Sequence, residues 1–167
     1  YFYLSKHYDR QGNDSLKTEM MRKAAQLDPD NITYKEAMLP EYINANDMEK
    51  AIGVMEDILD TDPERTELLL FMLQIYEYQK DYGKCIETIQ RIETKDGESE
   101  DLTLMKIQAY TAMGDDKKVM KEFQSLIKSH PLDSEYKTML GNYLLQKNKR
   151  KEALRLYSEV LAEEPEN

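Results

Sequence analysis

Four tyrosines, Tyr8, Tyr42, Tyr76 and Tyr110, recur every 34 residues, and aromatic rings at a fixed spacing could stack on a ligand. Other residues able to do chemistry are sparse. Cys85 is the only thiol, so no internal disulfide can form and the redox compartment stays open. His7 and His130 lie far apart, and neither has a cysteine or carboxylate at ligand spacing, which argues against a metal site. The acidic stretch from Glu93 to Asp101, with Lys95 inside it, reads as a solvated loop. A calcium loop needs oxygen ligands alternating around a central glycine, and Asp96, Glu98, Glu100 and Asp101 do not keep that spacing. There is no glycine-rich phosphate loop, no HExxH, no nucleophile elbow and no Cys–His pairing at a known spacing. In a chain with 33 carboxylates, close acidic pairs arise from number alone. The expectation is a protein that is no enzyme and carries no cofactor.

The elements that position these residues follow from the same period. Pro29, Pro63, Pro131 and Pro165 keep it, with Gly97 in the vacant slot, and Leu144 takes the fifth tyrosine place. A fixed period of this length marks a repeat architecture. The units are 1–31, 32–65, 66–99, 100–133 and 134–167, together a single solenoid domain over 1–167. Each contains two blocks of apolar residues at helical spacing. In the second unit block A runs from about Thr33 to Ala45 and block B from about Met48 to Leu59. Between blocks lie the turns Gly12-Asn13, Asn46-Asp47, Lys80-Asp81, Gly114-Asp115 and Asn148-Lys149. Gly and Asn tolerate the left-handed backbone that ends many helices, and Asp or Asn can cap the next one. Proline stops helix B, and Asp96-Gly97 does so in the third unit. The chain is therefore predicted to form about ten helices in an all-α fold. Helix formers dominate, glycine numbers only 6 and β-branched runs are lacking.

This helix-turn-helix pattern resembles the tetratricopeptide repeat family along the whole chain. The resemblance implies a right-handed superhelix, with small and large core slots alternating. The small slot of helix B holds Ala51, Cys85, Val119 and Ala153, with Lys17 as the departure. The bulky slot holds Met21, Met55, Ile89, Phe123 and Tyr157, and the next core slot Ala24, Ile58, Ile92, Leu126 and Val160. The helix A slot holds Leu4, Met38, Met72 and Leu140, with Lys106 as the departure. On this pattern the tyrosines pack between helices, and Cys85 is a buried inert thiol. Pro40 falls in the middle of a helix A, where it removes a backbone bond, so that helix is predicted to kink or start late.

The resemblance also implies where binding occurs, since helices A of the family line a concave groove that receives extended peptides or helices of partner proteins. The groove positions map onto Phe2, Lys6, Leu70, Gln74, Tyr78, Leu104, Gln108 and Asn142. Gln74, Gln108 and Asn142 make an amide ladder that can both donate to and accept from a peptide backbone. Phe2, Leu70 and Leu104 add apolar contacts, and Tyr78 is a typical anchor. The carboxylate clamp of some relatives is missing. Its positions hold Glu36, Pro40, Phe71, Asp101 and Met105, so an acidic chaperone tail is disfavoured.

The formal net charge is −10, distributed over the five units as 0, −6, −3, −1 and 0. Nucleic acid and anionic membranes are excluded as expected partners, because both require clustered lysine and arginine. A partner peptide is expected to carry a basic segment facing the middle units. The longest apolar runs, such as Leu68 to Leu73, are too short to span a bilayer. Tyr1 already lies inside a repeat, so the chain reads as an excised or processed fragment, cytoplasmic by default, with an exported parent left open. Both end helices leave apolar residues uncapped, Tyr1, Phe2, Tyr3 and Leu4 at one end and Leu154, Tyr157 and Leu161 at the other. The alternative to a binding module is thus a structural spacer or an end-to-end self-associating segment.

Overall fold

The computed structural model describes residues 1–163. Within them are ten helices and no strand: α1 (Phe2–Arg10), α2 (Asp14–Leu27), α3 (Ile32–Asn44), α4 (Met48–Thr61), α5 (Thr66–Gln79), α6 (Tyr82–Asp96), α7 (Glu100–Met113), α8 (Asp116–Ser129), α9 (Ser134–Gln146) and α10 (Arg150–Glu163). Odd-numbered helices are the A blocks and even-numbered ones the B blocks. Pro165, the last proline on the period, lies outside the described residues.

The five A-to-B turns share one backbone solution. Gly12, Asn46, Lys80, Gly114 and Asn148 all have positive φ, between 56° and 74°. The residue after each one donates its N–H to the carbonyl five residues back, at Tyr8, Tyr42, Tyr76, Tyr110 and Leu144, over 2.8–2.9 Å. The left-handed residue itself donates to the carbonyl three before it, as Asn46 does to Ile43 at 3.0 Å. This is the Schellman arrangement, and it satisfies carbonyls that helix ends leave without partners. The tyrosine period therefore marks a fixed position in a helix terminus. Asn13, Asp47, Asp81 and Asp115 then cap the following helix by accepting from the N–H three residues on. Lys149, at the fifth turn, has no side-chain oxygen to do this.

The B-to-A links also follow their residues. Helices α2, α4 and α8 end before Pro29, Pro63 and Pro131. Helix α6 meets no proline and runs one residue longer, until Gly97 leaves the helix at φ 88°.

Contacts between the helices divide the chain into two compact units, Tyr1–Ile75 and Tyr76–Asn167. In the first, α1, α2, α3 and α4 pack each on the next. Its core includes Met21, Met38, Met55, Ile58 and Met72. In the second, α6 to α10 do the same, around Ile89, Tyr110, Val119, Phe123, Leu140, Leu144 and Ala153. Burying a side chain of this size contributes about 1.5–3 kcal/mol against leaving it exposed.

Most predicted core slots are buried, and three expectations need correction. Leu4 is 45% exposed, although Met38, Met72 and Leu140 at the same register are almost fully buried. It lies on α1, whose main packing partner is α2. Lys106 is no weak point of its repeat: it is buried, and it is paired with two acids described below. Pro40 does not delay its helix. Helix α3 is unbroken from Ile32 to Asn44, and Pro40 sits on its exposed side.

Candidate peptide-binding surface

The predicted groove residues fall in both units. In the first, α1 brings Phe2 and Lys6 together, with the ammonium 4.6 Å from the ring centroid. The Phe2 ring also packs 5.2 Å from Tyr34 of α3, so it is half-buried rather than presented to solvent. On α3, Glu36 accepts a hydrogen bond from Arg65 at 3.1 Å. On α5, Leu70 is 46% exposed and Gln74 is exposed one turn later.

Tyr78, one further turn along α5, belongs to the second unit and is 87% exposed. Leu104 of α7 is half-buried against the core of that unit. Gln108 is exposed and lines a cleft of about 390 Å³ with Glu77, Lys80, Tyr82, Cys85 and Met105. Asn142 of α9 is exposed, but its Oδ1 already accepts from the Tyr157 hydroxyl at 2.8 Å. Its amide nitrogen is the part that can reach a peptide. The amide ladder is therefore uneven: Gln74 stands in the first unit, Gln108 and Asn142 in the second, and Asn142 also fastens α9 to α10.

Other chemical candidates are held in structural roles. Cys85 is buried, and burial pushes its thiol up to about 11, so little thiolate exists at neutral pH. His7 exchanges a hydrogen bond with Gln11 at 3.0 Å, and His130 lies beside Ser129 and 5.4 Å from the Tyr136 ring. Among the described residues no group of three His, Cys, Asp or Glu could hold a metal ion, and no helix is long and apolar enough to cross a membrane.

No family model matches the chain, and no curated protein matches it. Solved structures do. One is a crystal structure of MamA, 17% identical, covering 99% of this chain and 96% of its own, with TM-score 0.57. A second, MamA from Desulfovibrio magneticus RS-1, is 16% identical over 98% and 92%, with TM-score 0.55. A third, YrrB, is described as a TPR protein with an unusual peptide-binding site. It is 16% identical over 87% of this chain and 75% of its own, with TM-score 0.52. The chain has the tetratricopeptide-repeat fold.

Within that fold, two features escape the repeat pattern. The first is Gly141, where an added Cβ would stand 2.6 Å from the Tyr157 ring. The other repeats hold Ser5, Leu39, Leu73 and Ile107 there, opposite smaller or more flexible partners. A glycine on one helix thus admits a tyrosine on the other, and that tyrosine bonds Asn142. The second is an ion cluster. The Lys106 ammonium lies 2.7 Å from Glu93 of α6 and 3.0 Å from Glu122 of α8. Burial works to lower its pKa, and the two carboxylates outweigh that and hold it above the ordinary lysine value. Neither feature is visible as a local spacing, because each joins residues of different helices.

A third arrangement is visible in the sequence once the geometry is known. In repeats two to four, Lys50, Lys84 and Lys118 lie over Tyr42, Tyr76 and Tyr110 at 5.8, 5.2 and 4.9 Å. Each also pairs with the capping acid of its own turn, at 2.6, 4.0 and 3.5 Å. A cation within about 6 Å of a ring centroid is attracted by the ring's face. The tyrosines are thus packing and turn residues, each held by a lysine eight positions on.

Proposed function

We propose that this chain is a non-catalytic protein-interaction scaffold that binds a peptide or helix of a partner protein along its A helices, in the groove the repeat family provides. The observation that carries the reading is the exposed stripe on α5: Leu70, Gln74 and Tyr78, successive turns of one helix, with two large apolar groups flanking an amide. Exposed aromatic anchors next to backbone-reading amides suit an extended peptide. YrrB, of the same fold, is described as having a peptide-binding site. The formal charges of −6 and −3 in repeats two and three favour a partner with a basic segment.

The test is selection of binders from a displayed random-peptide library, followed by affinity measurement against a Leu70→Ala, Gln74→Ala, Tyr78→Ala variant. All three side chains are exposed, so helicity should be retained and is checked by circular dichroism. The amide triple change is a poorer test, because Asn142→Ala also breaks the Tyr157 bond. Selected peptides should be rich in lysine or arginine, lose at least tenfold in affinity with the variant, and weaken with added salt. Peptides held equally by both proteins would remove the groove from consideration. A second reading, self-association through the end helices, is favoured by the apolar residues exposed on α10.

A further inference from the structure

We infer that the cleft beside Ala109 is a socket for a tyrosine side chain of the partner peptide. The inference rests on the groove reading above and adds a side chain that the groove selects. It comes from the same place one repeat later, which the chain fills with a residue of its own.

The cleft lies within the second unit, between α6 and α7, and encloses about 390 Å³. Its floor is Cys85, Ile89 and Ala109, all buried, with Met105 beside them. Its mouth is polar, and Glu77, Lys80 and Gln108 are exposed there. An apolar floor below a few polar groups is the make-up of a ligand site. One period of 34 residues on, Tyr143 stands in the place of Ala109, Phe123 in that of Ile89 and Asp116 in that of Tyr82. The buried Tyr143 ring packs 6.2 Å from the Phe123 ring, and its hydroxyl donates to Asp116 Oδ1 over 2.6 Å. Between α8 and α9 the repeat thus seats a phenol ring on its helix B and gives the hydroxyl a carboxylate. Between α6 and α7 a methyl group replaces that ring, and the cleft is the space left over.

A cleft of about 390 Å³ recurs at this register in the first unit, between α2 and α3, with Glu41 in the place of Ala109. Space here is therefore a property of the repeat, and the residue at this one position decides what occupies it. An acid repels a ring, whereas alanine leaves room for one. The mouth also supplies a partner for the hydroxyl. Glu77 has no salt bridge among the described residues. It stands close to the floor, since burial first and then the Glu77 charge push the Cys85 thiol up. A phenol entering over Ala109 meets this carboxylate as Tyr143 meets Asp116, and buried tyrosine hydroxyls need such a partner. Gln108, whose amide can pair with a peptide backbone, stands at the same rim, so a chain that it holds passes the opening.

The test is methyl-detected NMR of the 167-residue chain, titrated with N-acetyl-tyrosinamide as the probe. Saturable shifts are expected at the methyl groups of Ile89, Met105 and Ala109. N-acetyl-phenylalaninamide lacks the hydroxyl and should bind about tenfold more weakly. A variant carrying Ala109→Tyr and Tyr82→Asp copies the Tyr143–Asp116 pair into the cleft and should lose the shifts altogether. Circular dichroism checks its fold, and if it does not fold, the position of the shifts in the unmodified chain still decides. Shifts missing from these three methyl groups, or retained in a folded double variant, would overturn the inference. Equal binding of the two probes would overturn the choice of tyrosine. Peptides indifferent to the α5 changes, with the probe shifts intact, would count against the groove and not against the socket.

Discussion

Replacing Lys106 by methionine isolates the buried ion cluster. The Lys106 side chain is 8% exposed, and those of Glu93 and Glu122 are 13% and 15% exposed. Without the ammonium, two largely desolvated carboxylates face each other, no farther apart than their two distances to its nitrogen combined. Breaking a buried pair by removing one partner costs about 3–5 kcal/mol. The residual water at both acids and the added apolar contact of methionine place Lys106→Met at the low end, about 3 kcal/mol at pH 7. For a chain of this length that lowers Tm by roughly 6–12 °C. The pH dependence gives the cause. In the parent, the folded lysine's pKa is raised. Its contribution is fully present below the unfolded value of about 10.4 and is lost as pH rises through the folded value. The difference between parent and variant should therefore shrink as pH rises through the folded lysine's value. Adding Glu93→Gln and Glu122→Gln should bring the variant back to within about 1 kcal/mol. Denaturant unfolding at a series of pH values measures all of this. A Lys106→Met change within about 0.5 kcal/mol of the parent at pH 7 would refute the reasoning.

Three other predictions come from single residues. Lys149→Asp supplies the capping acceptor that the fifth turn lacks, and should stabilise the last repeat by about 1 kcal/mol in urea unfolding; no gain would mean that α10 takes its start from packing alone. Lys80→Gly relieves the left-handed backbone at φ 57°, with an expected gain of about 0.5–1 kcal/mol in the same assay, and a loss would show that the lysine's contacts outweigh its backbone cost. Cys85, with its thiol pushed up to about 11, should resist a thiol reagent at neutral pH and react only as denaturant unfolds the chain; rapid native labelling would contradict its burial.

The fold was largely legible because its instructions are local and repeated. The turns at Asn46-Asp47 and Gly114-Asp115 form as their residues dictate, since left-handed tolerance and capping act within five residues. Slots such as Met55, Ile89 and Ala153 are buried because one period places them on equivalent faces. What escaped the sequence depends on partners distant along the chain. Lys106 looked like a misplaced charge until α6 and α8 supplied its acids. Leu4 matched the core pattern, but a slot is buried only when a neighbour arrives. Pro40 was expected to kink or delay its helix, yet α3 starts on time at Ile32 and runs to Asn44 with Pro40 on its exposed side. Of the candidate site, the exposure of Gln74, Tyr78 and Gln108 follows from helical phase, whereas the Asn142–Tyr157 bond required a glycine on the facing turn.

The Tyr–Asp–Lys units of repeats two to four also set an order of opening. Each ties the last turn of a helix A to the first turn of helix B, through one ring, one cap and one ammonium. The first repeat has Asn13 but Leu16 in place of the lysine, and the last has Leu144, Lys149 and Glu152, which keep none of the three. Stacked repeats gain stability from themselves as well as from their neighbours, and the first and last repeats lack the complete unit. Backbone amides of α1 and α10 should thus exchange with solvent through fluctuations that leave the middle repeats closed. The slowest exchange is then expected at the turns where the lysines recur, between α3 and α8.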